Sequence, residues 1–204
     1  MEIVRYPHPA LRWVSKPIRE VNDEIRQIAH EMLGLMYGAK GIGLAANQVA
    51  LPIQLFVLNP KSDPAHKDEE RVFVNPKIVE RKGLVQEEEG CLSLPALFGR
   101  LKRAEWIKVV ATALDGSLFE LQAEGLTARA IQHEVDHLQG ILFTDKLNPL
   151  EKIRVIAKIR EFEKEYRRRQ KAGEIPPNEE ILKSLGQLET AHCQSDRQGV
   201  PSAP

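Results

Sequence analysis

Two imidazoles and a carboxylate within five residues, His133, Glu134 and His137 in the stretch HEVDH, are the part of this sequence best suited to chemistry. Helix positions four apart lie one above the other, so both imidazoles can reach one divalent ion while the glutamate beside them activates its water. Projecting Glu124 to Gln139 as a helix places Leu126, Ala130, Ile131 and Leu138 on the same side as His133, Glu134 and His137. Arg129, Gln132, Asp136 and Gln139 fall on the other side, which predicts reactive groups facing the interior and polar ones facing water. A chance polar network is the plain alternative. It is disfavoured because unpartnered imidazoles and carboxylates are costly to bury and a metal removes that cost.

A catalytic site of this kind needs a third protein ligand and an open position for water. The metzincin pattern HExxHxxGxxH requires a histidine where this chain has Phe143, so that class is excluded. Glu161, Glu163 and Glu165 are nominal thermolysin-like ligands, but their alternating-charge surroundings fit a solvated helix better. Cys91, in EEEGCLSLP, is preferred because thiolate is a strong donor to zinc or ferrous iron, although a lone cysteine is ordinarily a small buried hydrophobe. A third imidazole from His8, His30, His66 or His192 stays open, with nothing marking any of them.

The stretch GIGLAANQ, Gly41 to Gln48, superficially fits a dinucleotide fingerprint. That motif must follow a strand and open a helix, whereas this one follows a helix and leads towards a strand. Small residues that let backbone approach a substrate, with the Gln48 amide donating to a developing oxyanion, account for it better. A simple helix stop would explain the glycines but not Gln48.

The elements that must hold these groups can be read from periodicity and punctuation. Asn22 caps a helix carrying Ile25, Ile28, Ala29, Met32, Leu35 and Met36, ended by Gly38 and Gly41. Strands are predicted at Ile53 to Asn59, Arg71 to Val74, Trp106 to Leu114 and Ser117 to Gln122, the last two joined by an Asp115-Gly116 turn. Pro76 is expected to weaken the end of the second, and Ser62 to Glu70 reads as a surface loop. Asn148 and Pro149 open a long helix to about Lys171, and a short helix is expected around Glu179 to Leu188. The polar tail Ala191 to Pro204 is expected to be disordered.

Lys plus Arg and Asp plus Glu both number 29, so nothing in the net charge suggests whole-surface binding to nucleic acid or anionic membrane. No apolar run approaches the roughly 20 residues of a membrane helix and the N-terminus lacks an apolar signal region, so a soluble cytoplasmic protein is expected. Two cysteines, Cys91 and Cys193, do not make a disulfide framework.

GIGLAANQ, EGCLS and HEVDH, in this order and spacing, resemble the three signature motifs of peptide deformylases of bacterial or organellar type. The likeness extends through IVRYPHPALR, RAEWIKV and LNPL, covering about Met1 to Tyr166. It implies a metalloenzyme that removes formyl from the N-terminal methionine of nascent chains, with Fe2+ held by Cys91, His133 and His137 and replaceable by Zn2+ or Ni2+. It also implies Glu134 as base and then acid, and Gln48 with the Leu92 backbone N–H as oxyanion donors. A methionine pocket is expected from Ile42, Leu126, Ala130 and the aliphatic part of Arg129, with Gly43 backbone pairing to the peptide as a strand. Formyl selectivity is expected if the loops leave room for hydrogen but not methyl on the carbonyl carbon. Ala96 to Arg100 is apolar where some bacterial relatives carry a basic residue near the substrate.

The fold expected with this resemblance is α+β, antiparallel strands around a central metal-binding helix, flanked by an N-terminal helix and a long C-terminal one. Residues 1–172 would be the metallohydrolase domain and 173–204 a polar extension, largely disordered. Glu89 and Arg103 are a candidate ion pair steadying the cysteine loop, and the basic Arg167 to Arg169 with Lys171 complement the helix dipole or touch ribosomal RNA. Two rivals remain: a zinc metallopeptidase with Glu161 or a neighbour as third ligand, and a structural metal module with four protein donors.

Overall fold

A computed structural model describes residues 1–193. A five-stranded antiparallel sheet, ordered β1-β2-β3-β6-β7, is built from β1 (Gly43–Ala45), β2 (Leu55–Leu58), β3 (Arg71–Lys82), β6 (Trp106–Thr112) and β7 (Leu118–Glu124). A separate hairpin pairs β4 (Val85–Cys91) with β5 (Leu94–Arg103). Helix α1 (Asp23–Gly38) covers one face of the sheet and α2 (Gly125–Leu138) the other. Two further helices follow, α3 (Pro149–Lys171) and α4 (Asn178–His192). The α+β class expected from the sequence is the one observed.

Strand β2 explains why the layers hold together. All of its residues are buried, as expected of a short uninterrupted apolar run. Successive side chains point to opposite faces. Phe56 and Leu58 join Phe73, Ile107, Ile131 and Val135 under α2, while Leu55 and Val57 join Ile25, Ala29, Met32 and Met36 under α1. Phe56 stacks on Phe73 with ring centroids 4.4 Å apart. Among the described residues, strand β1 is the outer strand on this side, pairing only with β2 through Gly43↔Leu58 to Ala45↔Phe56.

The caps predicted for α1 and α3 are present: Asn22 Oδ1 accepts from the Ile25 N–H and Asn148 Oδ1 from the Glu151 N–H, both at 3.0 Å. Pro76 does not end the second predicted strand. The register shifts between Val74 and Lys77, and Asn75 takes a left-handed φ of 52°, so the proline sits in a bulge and β3 continues to Lys82.

Hairpin β4–β5 has no counterpart among the predicted strands. VQEEEGC looks like charged surface, but the partner strand alternates strictly, with Leu97, Gly99, Leu101 and Arg103 buried and Phe98, Arg100 and Lys102 exposed. Leu94, Leu97 and Leu101 pack with Leu142, Phe143, Leu147 and Val155. The region read as a disordered extension holds α4, longer than the short helix expected, because Ile181 and Leu185 find apolar cover beside Ala10 that local composition does not reveal. Cys193 is also buried, while the rest of the tail expected to be disordered, 194–204, lies outside the described residues. No helix among the described residues is long and apolar enough to cross a membrane.

Candidate active site and metal centre

Helix α2 carries His133 and His137 one turn apart, their rings nearly perpendicular with centroids 4.8 Å from each other. Cys91, at the end of β4, brings its Sγ to 3.3 Å from His137 Nε2. One ligand atom from each of Cys91, His133 and His137 lies within 4.8 Å of the other two, and no other such group of His, Cys, Asp and Glu forms among the described residues. Of the nominal alternatives, Glu161, Glu163 and Glu165 pair instead with Lys158, Arg167 and Arg168 along α3, and His8 accepts from the Ala10 N–H.

The electrostatics fit a cation. Glu89 Oε2 lies 3.1 Å from His133 Nδ1, which leaves the other ring nitrogen for the Cys91 side. Burial alone would lower the His133 pKa, but hydrogen bonds to Cys91 and Glu89 outweigh it and raise it to about 10, so these anionic partners favour positive charge here, a proton that a metal ion would displace on binding. His137 is driven well below its ordinary value by burial and by repulsion from His133, so it is the neutral imidazole a metal requires. A soft thiolate and two imidazoles with a carboxylate behind one of them match the donors of a zinc or ferrous site.

Glu134 lies on the same turn, and burial pushes its carboxyl up to about 7. Its Oε2 is buried without a hydrogen-bond partner among the described residues. Gln48 reaches the cluster from the 3-10 turn Ala46–Val49: its Oε1 accepts from the Ala45 N–H at 2.9 Å, which turns Nε2 towards Cys91 Sγ at 3.4 Å and Ser93 Oγ at 3.2 Å. Gln48, Cys91, Leu92, His133 and Glu134 line one cavity of about 640 Å³. So do Ile42, Gly43, Leu126, Arg129 and Ala130, all five residues expected at the substrate, while His137 is buried beneath.

One expectation about α2 is corrected. Arg129, Gln132 and Asp136 do not face water; every residue from Ala128 to Leu138 is buried, whereas Leu126, placed on the inner face, is 53% exposed at the cavity rim. The reason lies in the hairpin. Arg103 makes a paired contact to Glu89 at 2.6 and 2.9 Å and reaches Asp136 at 2.6 Å; Arg129 reaches Glu89 at 2.6 Å, and Lys146 also binds Asp136. Burial would raise the Glu89 pKa, yet the bonds from His133 and Arg103 hold it well below the ordinary carboxylate range. The pair suspected from sequence between Glu89 and Arg103 is therefore part of a buried network that ends on a metal-site imidazole.

The family model described as polypeptide deformylase matches residues 1–153. The chain belongs to the polypeptide deformylase family. It is 45% identical over 169 residues to the peptide deformylase of Acinetobacter baumannii, covering 82% of this chain and 94% of that one. To the peptide deformylase of Rhodopirellula baltica it is 38% identical over 192 residues, covering 94% and 95%. A crystal structure of peptide deformylase 1B from Arabidopsis thaliana with an inhibitor superposes with a TM-score of 0.79 at 38% identity, covering 85% of this chain and 94% of the other.

Within the deformylase frame, sequence reasoning missed Ser93, which accepts from the Gln48 amide, and Asn47, fully buried behind it. It also missed Gln132, whose amide pairs with both the N–H and the C=O of Ala104. A signal existed for the buried charges: the period-two pattern of Leu97, Gly99, Leu101 and Arg103 places Arg103 on the inward face.

Proposed function

We propose that this chain hydrolyses the N-terminal formyl group of formyl-methionyl nascent peptides, releasing formate and a free amine. The observation that carries this is the convergence of the Cys91, His133, His137 cluster, the Glu134 carboxyl with its buried Oε2 lacking a partner among the described residues, and the Gln48 amide on one cavity. Cys91, His133 and His137 would hold Fe2+, with Zn2+ or Ni2+ as substitutes; when bound, such an ion polarises a carbonyl and makes water acidic enough to deprotonate near neutral pH.

With a pKa near 7, Glu134 is suited to take the proton of the attacking water and return it to the departing amine as the formyl C–N bond breaks. The Gln48 Nε2 and the Leu92 N–H would donate to the oxyanion. The outer edge of β1 at Gly43 would pair with the peptide backbone. Ile42, Leu126, Ala130 and the stem of Arg129 would enclose the methionine side chain, the Arg129 guanidinium being held away by Glu89. Room for hydrogen but not methyl beside the carbonyl carbon would give formyl selectivity. We propose a cytoplasmic location, consistent with a substrate that emerges from ribosomes.

Formate release from a formyl-Met peptide by the anaerobically iron-loaded protein, compared with Glu134→Ala, tests the assignment. Activity should fall by at least about 10²-fold in the variant, and no formate from the loaded protein would refute it. Equal turnover of acetyl and formyl peptides would refute the selectivity.

The basic end of α3 supports a further partner. Lys164, Arg167, Arg168 and Lys171 line a cleft of about 350 Å³, although Arg167, Arg168 and Arg169 are paired to Glu163, Glu165 and Glu174. We propose contact with ribosomal RNA there; ribosome binding unchanged by Lys164→Glu with Lys171→Glu would exclude it.

A further inference from the structure

Helix α4 takes no part in the chemistry proposed above and lies beyond the residues matched by the family model. It is nevertheless fixed to the segment behind the Gln48 turn at several points. Ile181 and Leu185 bury against Ala10, with Trp13 and Ala50 packed on the same cluster. Trp13 Nε1 donates to Glu189 at 2.7 Å. At the far end Ile18 bridges to Cys193, the Arg19 N–H donates to the His192 carbonyl at 3.2 Å, and Arg19 Nη2 to the Cys193 carbonyl at 2.9 Å.

The segment so anchored holds Asn47. Its Nδ2 donates to the carbonyls of Ala10 at 3.2 Å and Trp13 at 2.7 Å, and its Oδ1 accepts from Ser15 Oγ at 2.8 Å. Both amide protons and the amide oxygen are thus spent on residues 10–15, and the side chain is fully buried. Asn47 directly precedes Gln48 in the 3-10 turn Ala46–Val49, and Ala50, which ends that turn at a left-handed φ of 58°, itself touches the α4 cluster. Gln48 is therefore flanked on both sides by residues whose positions α4 helps set.

We propose that α4 braces the Gln48 turn, with Asn47 as the positioning residue that transmits the brace. This rests on the reading of Gln48 as the oxyanion donor. A hydrogen-bond donor aimed at developing charge works only when held within a fraction of an ångström of the required place. A brace acts only through the residue it positions, which separates it from a general contribution to stability.

The test is a double-mutant cycle in the full-length, metal-loaded chain, following formate release from a formyl-Met peptide at saturation. Gln48→Ala should lower kcat about 10²-fold. Leu185→Ala, which empties the brace without touching the site, should lower kcat about fivefold with KM within about twofold, and Gln48→Ala with Leu185→Ala should be no slower than Gln48→Ala alone. Equal factors for Leu185→Ala in both backgrounds, or an unchanged kcat beside a reduced Tm, would overturn the brace. No effect of Gln48→Ala would overturn the oxyanion reading and the brace with it. Should Leu185→Ala fold poorly, Trp13→Phe removes the Glu189 bond with part of the indole packing and enters the same cycle. In either variant the Gln48 side-chain amide resonance should shift in a 15N-edited spectrum, and an unmoved resonance would refute the proposal.

Discussion

Replacing Gly43 by alanine should separate catalysis from stability. A Cβ at this position would lie 2.5 Å from Glu134 Oε1, 3.0 Å from Cδ and 3.1 Å from Cγ. Ordinary contacts begin at about 3.4 Å, so the carboxylate must retreat by roughly 0.5 to 1 Å within a buried site where it has little free space. Gly43 has no left-handed φ and sits in a regular pair with Leu58, so alanine brings no backbone strain. Fitting the methyl into this packed site should cost about 1 to 3 kcal/mol of unfolding free energy and leave the chain folded for assay. A general base displaced that far should lose on the order of 10²-fold in kcat, about 2.7 kcal/mol of barrier, with KM within about threefold and metal content unchanged. Steady-state formate release, urea unfolding and metal analysis on the same preparation decide it. Wild-type kcat in a normally folded variant would show that Glu134 tolerates displacement and is not the proton carrier.

Three other outcomes follow. Glu89→Gln leaves Arg103 and Arg129 without their shared carboxylate and His133 without its anionic partner, so it should cost about 3 to 5 kcal/mol in urea unfolding and lower metal affinity about 10- to 100-fold by competition with a chelator. His8 is held down at about 4 by burial while accepting from the Ala10 N–H, so the unfolded chain, titrating near 6.5, binds the extra proton first. Stability should therefore be complete above about pH 6.5 and fall by about 1 to 2 kcal/mol towards pH 4, after allowance for partial exposure, and His8→Asn should flatten that part of the profile. Phe56→Ala empties the contact between the sheet and α2 and should cost about 3 to 5 kcal/mol by thermal or urea unfolding.

The reactive groups were legible because each leaves a mark that needs no tertiary knowledge. Two imidazoles at helical spacing, a thiol beside glycine in an apolar loop, and a glutamine after small residues each point to one task. Their supports were less legible. Arg129, Gln132 and Asp136 look like the wet side of an amphipathic helix, and only the inward Glu89 and Arg103 of the hairpin turn that side into an interior. Periodicity reports polarity, and a buried charge network has the polarity of a surface. Pro76 misled for a related reason: a bulge dispenses with the ladder hydrogen bond that proline cannot make.

The brevity of β1 has a consequence for which proteins can be served. A three-residue edge is too short to recruit another sheet edge stably, which guards the protein against joining its own kind. The same edge shows an incoming chain only N–H and C=O groups, which are common to every sequence. On the proposed reading, pairing along this edge holds the residues that follow the formyl-methionine by backbone they all share. An activity that must act on the first residue of thousands of unrelated chains is well matched to a strand that reads no side chains.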